Sequence, residues 1–190
     1  MSTHTQSMLT VADLELMPDD FNRYELMEGE IVVSRSPGLP HQDVLVNLLN
    51  ILVNHLAEHP EGKAYLTPGV IFDNFNSVIP DIAFVGRSRR EEIASGKHIT
   101  GTPELMIEVV SPGTANARRD RVVKRQVYGK HGVQEYWIVD PQKRCVEIYR
   151  LSENSLELFV RLSGVEEVTS SLFPGLVIPL VRIFGDIAEQ

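Results

Sequence analysis

The stretch that most constrains the fold is Leu105-Met106-Ile107-Glu108-Val109-Val110, followed by a helical segment and then Glu135-Tyr136-Trp137-Ile138-Val139-Asp140. Strand, helix, strand over so short a distance implies a parallel strand pair joined by a crossover, and hence an α/β fold. The first strand reads as buried, yet it carries Glu108. An ionised carboxylate in such a place costs several kcal/mol unless it is paired or binds a metal. Upstream, Ser77-Val78-Ile79-Pro80-Asp81-Ile82-Ala83-Phe84-Val85 carries a second acid of the same kind.

Alternation puts Leu105, Ile107 and Val109 on one face of their strand and Met106, Glu108 and Val110 on the other. If the two strands are neighbours, Asp81 and Glu108 converge at their ends within reach of one divalent cation. Oxygen ligands of this kind suit Mg²⁺ or Mn²⁺ rather than Zn²⁺. An ion pair with a lysine or arginine would leave the same pattern in the sequence.

On the following helix, predicted over Arg118 to His131, Asp120, Lys124 and Tyr128 are spaced by four and share a face. Val122, Val123, Gln126 and Val127 are expected on the side packed against the sheet. That places Lys124 at the border of the buried face, able to reach over a strand end toward Glu108. The alternative is a local Asp120–Lys124 pair worth a few tenths of a kcal/mol. Glu25, in Tyr24-Glu25-Leu26, is a third acid that also fits a solvent-facing strand position. His41 opens the clearest helix, His41 to Glu58, and points with its stripe of Val44, Leu45, Leu48, Leu49, Leu52, Val53 and Leu56.

The remaining elements are short. Thr10 caps a helix from Val11. Arg23 to Ser34 reads as a hairpin turning at Glu28-Gly29. Strands are expected at Lys63–Leu66, Val70–Phe72 and Ile82–Val85, with a meander over Cys145–Arg150 and Leu156–Arg161. Outside the parallel pair the strands are expected to be antiparallel, giving one mixed sheet flanked by helices. With 190 residues the chain suits one domain over residues 1–190.

Charge narrows the function classes. A net charge of −8 disfavours a protein whose main task is to grip nucleic acid. The basic residues are uneven, however: Arg118, Arg119, Arg121, Lys124, Arg125 and Lys130 crowd one helix, against Asp120 alone. Read blandly, they are a solvated helix face. One cysteine, Cys145, excludes an intrachain disulfide. No apolar run reaches the roughly 18 residues of a membrane span. No signal peptide is visible, so the cytoplasm is the simplest location.

Tyr24-Glu25-Leu26-x-x-Gly29-Glu30, His41 before a leucine-rich helix, Pro80-Asp81, and Glu108-Val109-Val110-Ser111-Pro112 form an ordered series. Asp120, Lys124 and Tyr128 continue it, then Gly132-Val133-x-Glu135-Tyr136-Trp137-Ile138-Val139-Asp140-Pro141 and Phe173-Pro174-Gly175-Leu176. The series resembles the Uma2 family, formerly DUF820, itself similar to the PD-(D/E)XK nuclease superfamily. The resemblance implies a restriction-endonuclease-like mixed β-sheet with extra antiparallel strands. Pro80-Asp81 would be the PD and Glu108 the acid of (D/E)XK. The superfamily's lysine falls at Val110 here, and Lys124 is its natural substitute.

On this resemblance the chain is expected to be a metal-dependent endonuclease acting on nucleic acid, DNA in the first instance. Asp81 and Glu108 would hold Mg²⁺ or Mn²⁺ with the carbonyl of Val109 or Val110 as a further ligand, and Glu25 would add a carboxylate directly or through water. Lys124 would orient the attacking water or stabilise developing charge. His41 and Tyr128 would support a phosphate or Glu108. Arg118, Arg119, Arg121 and Arg125 would follow the phosphate backbone. Two alternatives stay open: a degenerate nuclease fold that binds or forms a homodimer, and a hydrolase of a smaller phosphoester.

Overall fold

The computed structural model describes residues 8–113, 116 and 118–185. α1 (Val11–Leu14) starts at Thr10, whose side chain and that of Asp13 satisfy each other's backbone N–H groups in a capping box. β1 (Arg23–Met27) and β2 (Glu30–Ser34) form an antiparallel hairpin. Its two turn residues, Glu28 and Gly29, both have positive φ (51° and 77°). Such a turn matches the right-handed twist of the flanking strands.

α2 (Leu39–Glu58) begins two residues before the predicted His41, because Gly38 caps it and Pro40 suits its first turn. It buries His41, Val44, Leu45, Leu48, Ile51, Leu52 and Leu56. β3 (Gly62–Leu66), β4 (Val70–Asp73), β5 (Asn76–Val78), β6 (Ile82–Gly86), the short α3 (Arg90–Ile93), β7 (Ile99–Thr100) and β8 (Leu105–Val109) follow. A π-helical turn, Arg119–Lys124, then tightens into α4 (Arg125–Lys130). The chain continues through β9 (Glu135–Asp140), β10 (Cys145–Ser152), β11 (Ser155–Ser163), β12 (Glu167–Thr169), β13 (Val177–Pro179) and α5 (Leu180–Phe184).

The strands form two main sheets rather than the single one expected, in the orders β2-β1-β5-β4-β7 and β11-β10-β9-β8-β6-β3, with β12 and β13 as a separate pair. β8 and β9 pair in parallel, as the strand-helix-strand pattern predicts. A second parallel contact, β4 with β7, was not foreseen, since β7 has only two residues. On one face of the six-stranded sheet Ile82, Leu105, Ile107, Val109 and Trp137 pack with the α2 stripe and α5. On the other, Ala83, Met106, Tyr136 and Ile138 pack with Met27, Val70 and Val78 of the smaller sheet and with Val127 and Tyr128 of α4. Glu108 lies on this second face, between two layers of apolar side chains.

The helix after β8 is rotated from its predicted orientation. Val122 and Val123 are each 37% exposed and Gln126 is exposed, while Asp120, Lys124, Val127 and Tyr128 are buried. Two half-exposed valines forfeit about 1–2 kcal/mol. A buried acid without its cation costs about 3–5 kcal/mol. Pairing Lys124 with the buried acids therefore outweighs the apolar pattern.

Candidate active site

Asp81 sits just before β6, where the ladder ends. β6 and β8 pair at Ile82↔Ile107, Ala83↔Met106 and Phe84↔Leu105. One step beyond, the Asp81 side chain takes over: its Oδ2 accepts from the Val109 N–H at 2.8 Å. The same oxygen accepts from His41 Nε2 at 3.0 Å, brought from the first turn of α2. Arg23 Nη1 stands 3.6 Å from Oδ1. Burial opposes ionisation of Asp81 most strongly. The hydrogen bond and charge of His41, the Val109 N–H and Lys124 outweigh it, and the pKa lies below the usual value.

Glu108 is the acid of the opposite strand end. Its Oε1 accepts from Lys124 Nζ and from the Tyr128 hydroxyl, each at 2.8 Å. Lys124 Nζ also lies 3.0 Å from Glu25 Oε1, which accepts from the Ile79 N–H at 2.9 Å. Glu25 is thus buried at a junction of three elements rather than facing solvent. Lys124 is buried as well, not at the border of a helix face. The Glu108 carboxyl is raised to about 8: burial pushes it up most, Lys124 pulls it down, and the charges of Asp81, Asp120 and Glu25 add to the rise. Burial works against the Lys124 ammonium, but Glu108, Glu25 and Asp120 together raise its pKa above the usual value. The Tyr128 hydroxyl is pushed well up by burial and by Glu108.

Asp120 adds a fourth acid, raised by burial in spite of Lys124 and Arg119. Its Oδ1 is buried without a hydrogen-bond partner among the described residues, and Arg119 Nε stands 3.5 Å away. Sequence reasoning put Asp120 on the helix face with Lys124 but gave it no role in the site. The spacing of four that links it to Lys124 was the available signal. These groups, except Tyr128, border one pocket of about 620 Å³, whose walls include Arg23, Glu25, His41, Asp81, Glu108, Val109, Asp120 and Lys124.

The family model Uma2, described as "Putative restriction endonuclease", matches residues 11–181. The chain belongs to the Uma2 family. Among solved structures it is similar to a protein of Anabaena variabilis ATCC 29413 described as "a putative nuclease belonging to DUF820". The two share 21% identity over 93% of this chain and 97% of that one, with a TM-score of 0.75, which establishes a common fold. No curated protein matches the chain.

Within this Uma2 fold the basic residues of the helix divide. Arg121 is drawn inward to Asp140 (2.9 Å) and Glu147 (3.2 Å). Arg125 lies over the Tyr149 ring, 5.3 Å from its centroid. Arg118 is exposed, and of the four only Arg119 lines the pocket. Arg23 and Arg35 line it too, from the β1–β2 hairpin and the segment after it. Sequence reasoning missed both, since each is a lone cation in its segment.

The donor set is all oxygen, the kind that a hard divalent cation takes. Glu25, Asp81, Glu108 and Asp120 converge around one buried ammonium, and one Asp120 oxygen has no hydrogen-bond partner among the described residues. Among the described residues no group of three or more His, Cys, Asp or Glu side chains is arranged to hold a metal. Asp81 and Glu108 would therefore hold the ion with help from main-chain oxygen, the Val109 carbonyl being nearest in sequence, and from water, as Mg²⁺ ordinarily prefers.

Proposed function

We propose that this protein is a Mg²⁺- or Mn²⁺-dependent nuclease that hydrolyses phosphodiester bonds in nucleic acid, with DNA the first substrate to test. One observation carries the reading: Asp81, Glu108 and Lys124, from two strand ends and a helix, border a single pocket. Membership of a family described as "Putative restriction endonuclease", and likeness to a protein described as "a putative nuclease", support it.

Asp81 and Glu108 would hold the cation, which when bound polarises a phosphoryl oxygen and makes a bound water more acidic. Lys124 keeps its proton under the pull of three acids, so it acts as a fixed positive charge and not as a base. An ammonium so placed can orient water and stabilise charge that develops on the phosphate. His41 fixes Asp81, Tyr128 fixes Glu108 and Glu25 fixes Lys124, each through a bond of 3.0 Å or less.

The test is cleavage of supercoiled plasmid and of circular single-stranded DNA with Mg²⁺, Mn²⁺ or EDTA. Wild type should cleave with either cation and stop with EDTA, and Glu108→Gln should be inactive. Absence of cleavage under all conditions, or a Glu108→Gln protein as active as wild type, would reject the reading.

A further inference from the structure

Beside the pocket stands Phe21, 97% exposed. A single exposed aromatic is ordinary, but this one is held in place. The Asp20 carboxylate accepts from the Asn22 N–H at 2.8 Å, the Asn22 side-chain amide at 2.9 Å and the Tyr24 hydroxyl at 2.9 Å. These bonds brace the turn that presents Phe21, and the next two residues, Asn22 and Arg23, line the pocket. Leu39, 78% exposed, adjoins another lining residue, Gly38.

We propose that the preferred substrate is a strand that is unpaired at the bond to be cut, with Phe21 as the platform on which a neighbouring base stacks. This inference rests on the nuclease reading and adds the substrate class. The pocket floor is nearly closed to solvent: the side chains of Glu25, Asp81, Glu108 and Lys124 are exposed by only 3–6%. At about 620 Å³ the pocket is the size of a small-molecule site. A phosphate reaches that floor only by entering with its flanking sugars. One strand can do so, whereas a duplex would have to bring its paired strand along.

The rim has the matching chemistry. Arg35 is exposed and forms no ion pair among the described residues. Arg119 lines the pocket too, though it shares itself with Asp120 at 3.5 Å. Arg23 shares itself with Asp81 at 3.6 Å. Arginines that track a backbone, next to an aromatic face open to any base, are what single-strand binding requires. Duplex backbone contact needs the cations alone.

Anisotropy of a fluorescein-labelled oligothymidylate, and of a duplex of equal length, tests this in the Glu108→Gln background with Mg²⁺ present. The oligothymidylate should bind at least about 10-fold more tightly than the duplex. Phe21→Ala should weaken single-strand binding about 5- to 100-fold and leave duplex binding unchanged, and Phe21→Trp should restore it. Exposure of Phe21 makes the variant safe for folding. Equal or tighter duplex binding, or an unaffected Phe21→Ala, overturns the inference. If wild type nicks duplex plasmid and shows no such preference, this inference fails and the nuclease reading stands. If the preference holds while no DNA is cleaved, the binding surface is supported and the nuclease reading fails.

Discussion

Glu108 on β8 and Glu147 on β10 are both glutamates buried in apolar strands of the six-stranded sheet, and their surroundings differ in sign. Glu147 accepts from Arg121 Nε (3.2 Å) and the Tyr149 hydroxyl (3.1 Å) and is also paired with Arg161. Two guanidiniums and a hydroxyl surround one carboxylate there, with Asp140 sharing Arg121. Around Glu108 the acids crowd one ammonium: Lys124, buried, faces Glu108 and Glu25 with Asp120 and Asp81 nearby, while Arg23 and Arg119 reach Asp81 and Asp120 only at 3.6 and 3.5 Å. A balanced buried acid is a structural device. Buried acids crowded at the wall of a pocket are what the proposed cation site requires, and perturbed carboxylates in a cleft are candidates for function.

The largest expected effect is on the balanced cluster. Glu147→Gln leaves Arg121 half-neutralised in a buried setting and should lower unfolding free energy by about 3 kcal/mol, read from urea titration. It should leave cleavage in proportion to the folded fraction. Next in size is Lys124→Ala, which should reduce cleavage about 100-fold or more, as loss of a fixed transition-state charge does. Lys124→Arg should restore little, because a planar guanidinium does not replace a compact ammonium.

A pH effect separates the clusters further. Burial and the neighbouring acids raise the Glu108 carboxyl to about 8 in the fold, from an ordinary glutamate value of 4.5. Below the lower value it is protonated in both states. Between them the unfolded chain releases a proton that the folded chain keeps, so Glu108 makes stability fall as pH rises through this window. Glu108→Gln should remove that slope and be no less stable than wild type at pH 8, whereas Glu147→Gln should keep it. The smallest effect is expected of Arg161→Ala. Its side chain is 58% exposed and Arg121 remains on Glu147, so the loss should be about 1 kcal/mol or less.

The sequence made the Glu108 cluster legible because the signals were local. Alternation placed Glu108 with Met106 and Val110, proline marked Asp81 at a strand end, and a spacing of four joined Asp120, Lys124 and Tyr128. The orientation of that helix was not legible. Its valines pointed to one face, and only the buried acids of distant elements, Glu25 above all, turn the other face inward. The π-helical turn has no local signal of its own, and such turns are common where function places side chains. Glu147 carried the same signal as Glu108, a charge within the apolar run Cys145 to Tyr149, and would have foretold that Arg121 turns inward rather than toward a phosphate. Phe21 carried none, because exposure is decided by the turn that Asp20 braces.

The proposed function requires that the Glu108 cluster take up a cation and that the Glu147 cluster not. Titration of Mn²⁺ into wild type, Glu108→Gln and Glu147→Gln, followed by calorimetry and by thermal midpoint, tests it most directly. Wild type and Glu147→Gln should bind with similar affinity and be stabilised by mass action, by about 2.7 kcal/mol at 100 times Kd. Glu108→Gln should show neither heat nor midpoint shift although it is folded. Undiminished Mn²⁺ binding by Glu108→Gln, or its loss in folded Glu147→Gln, would contradict the account.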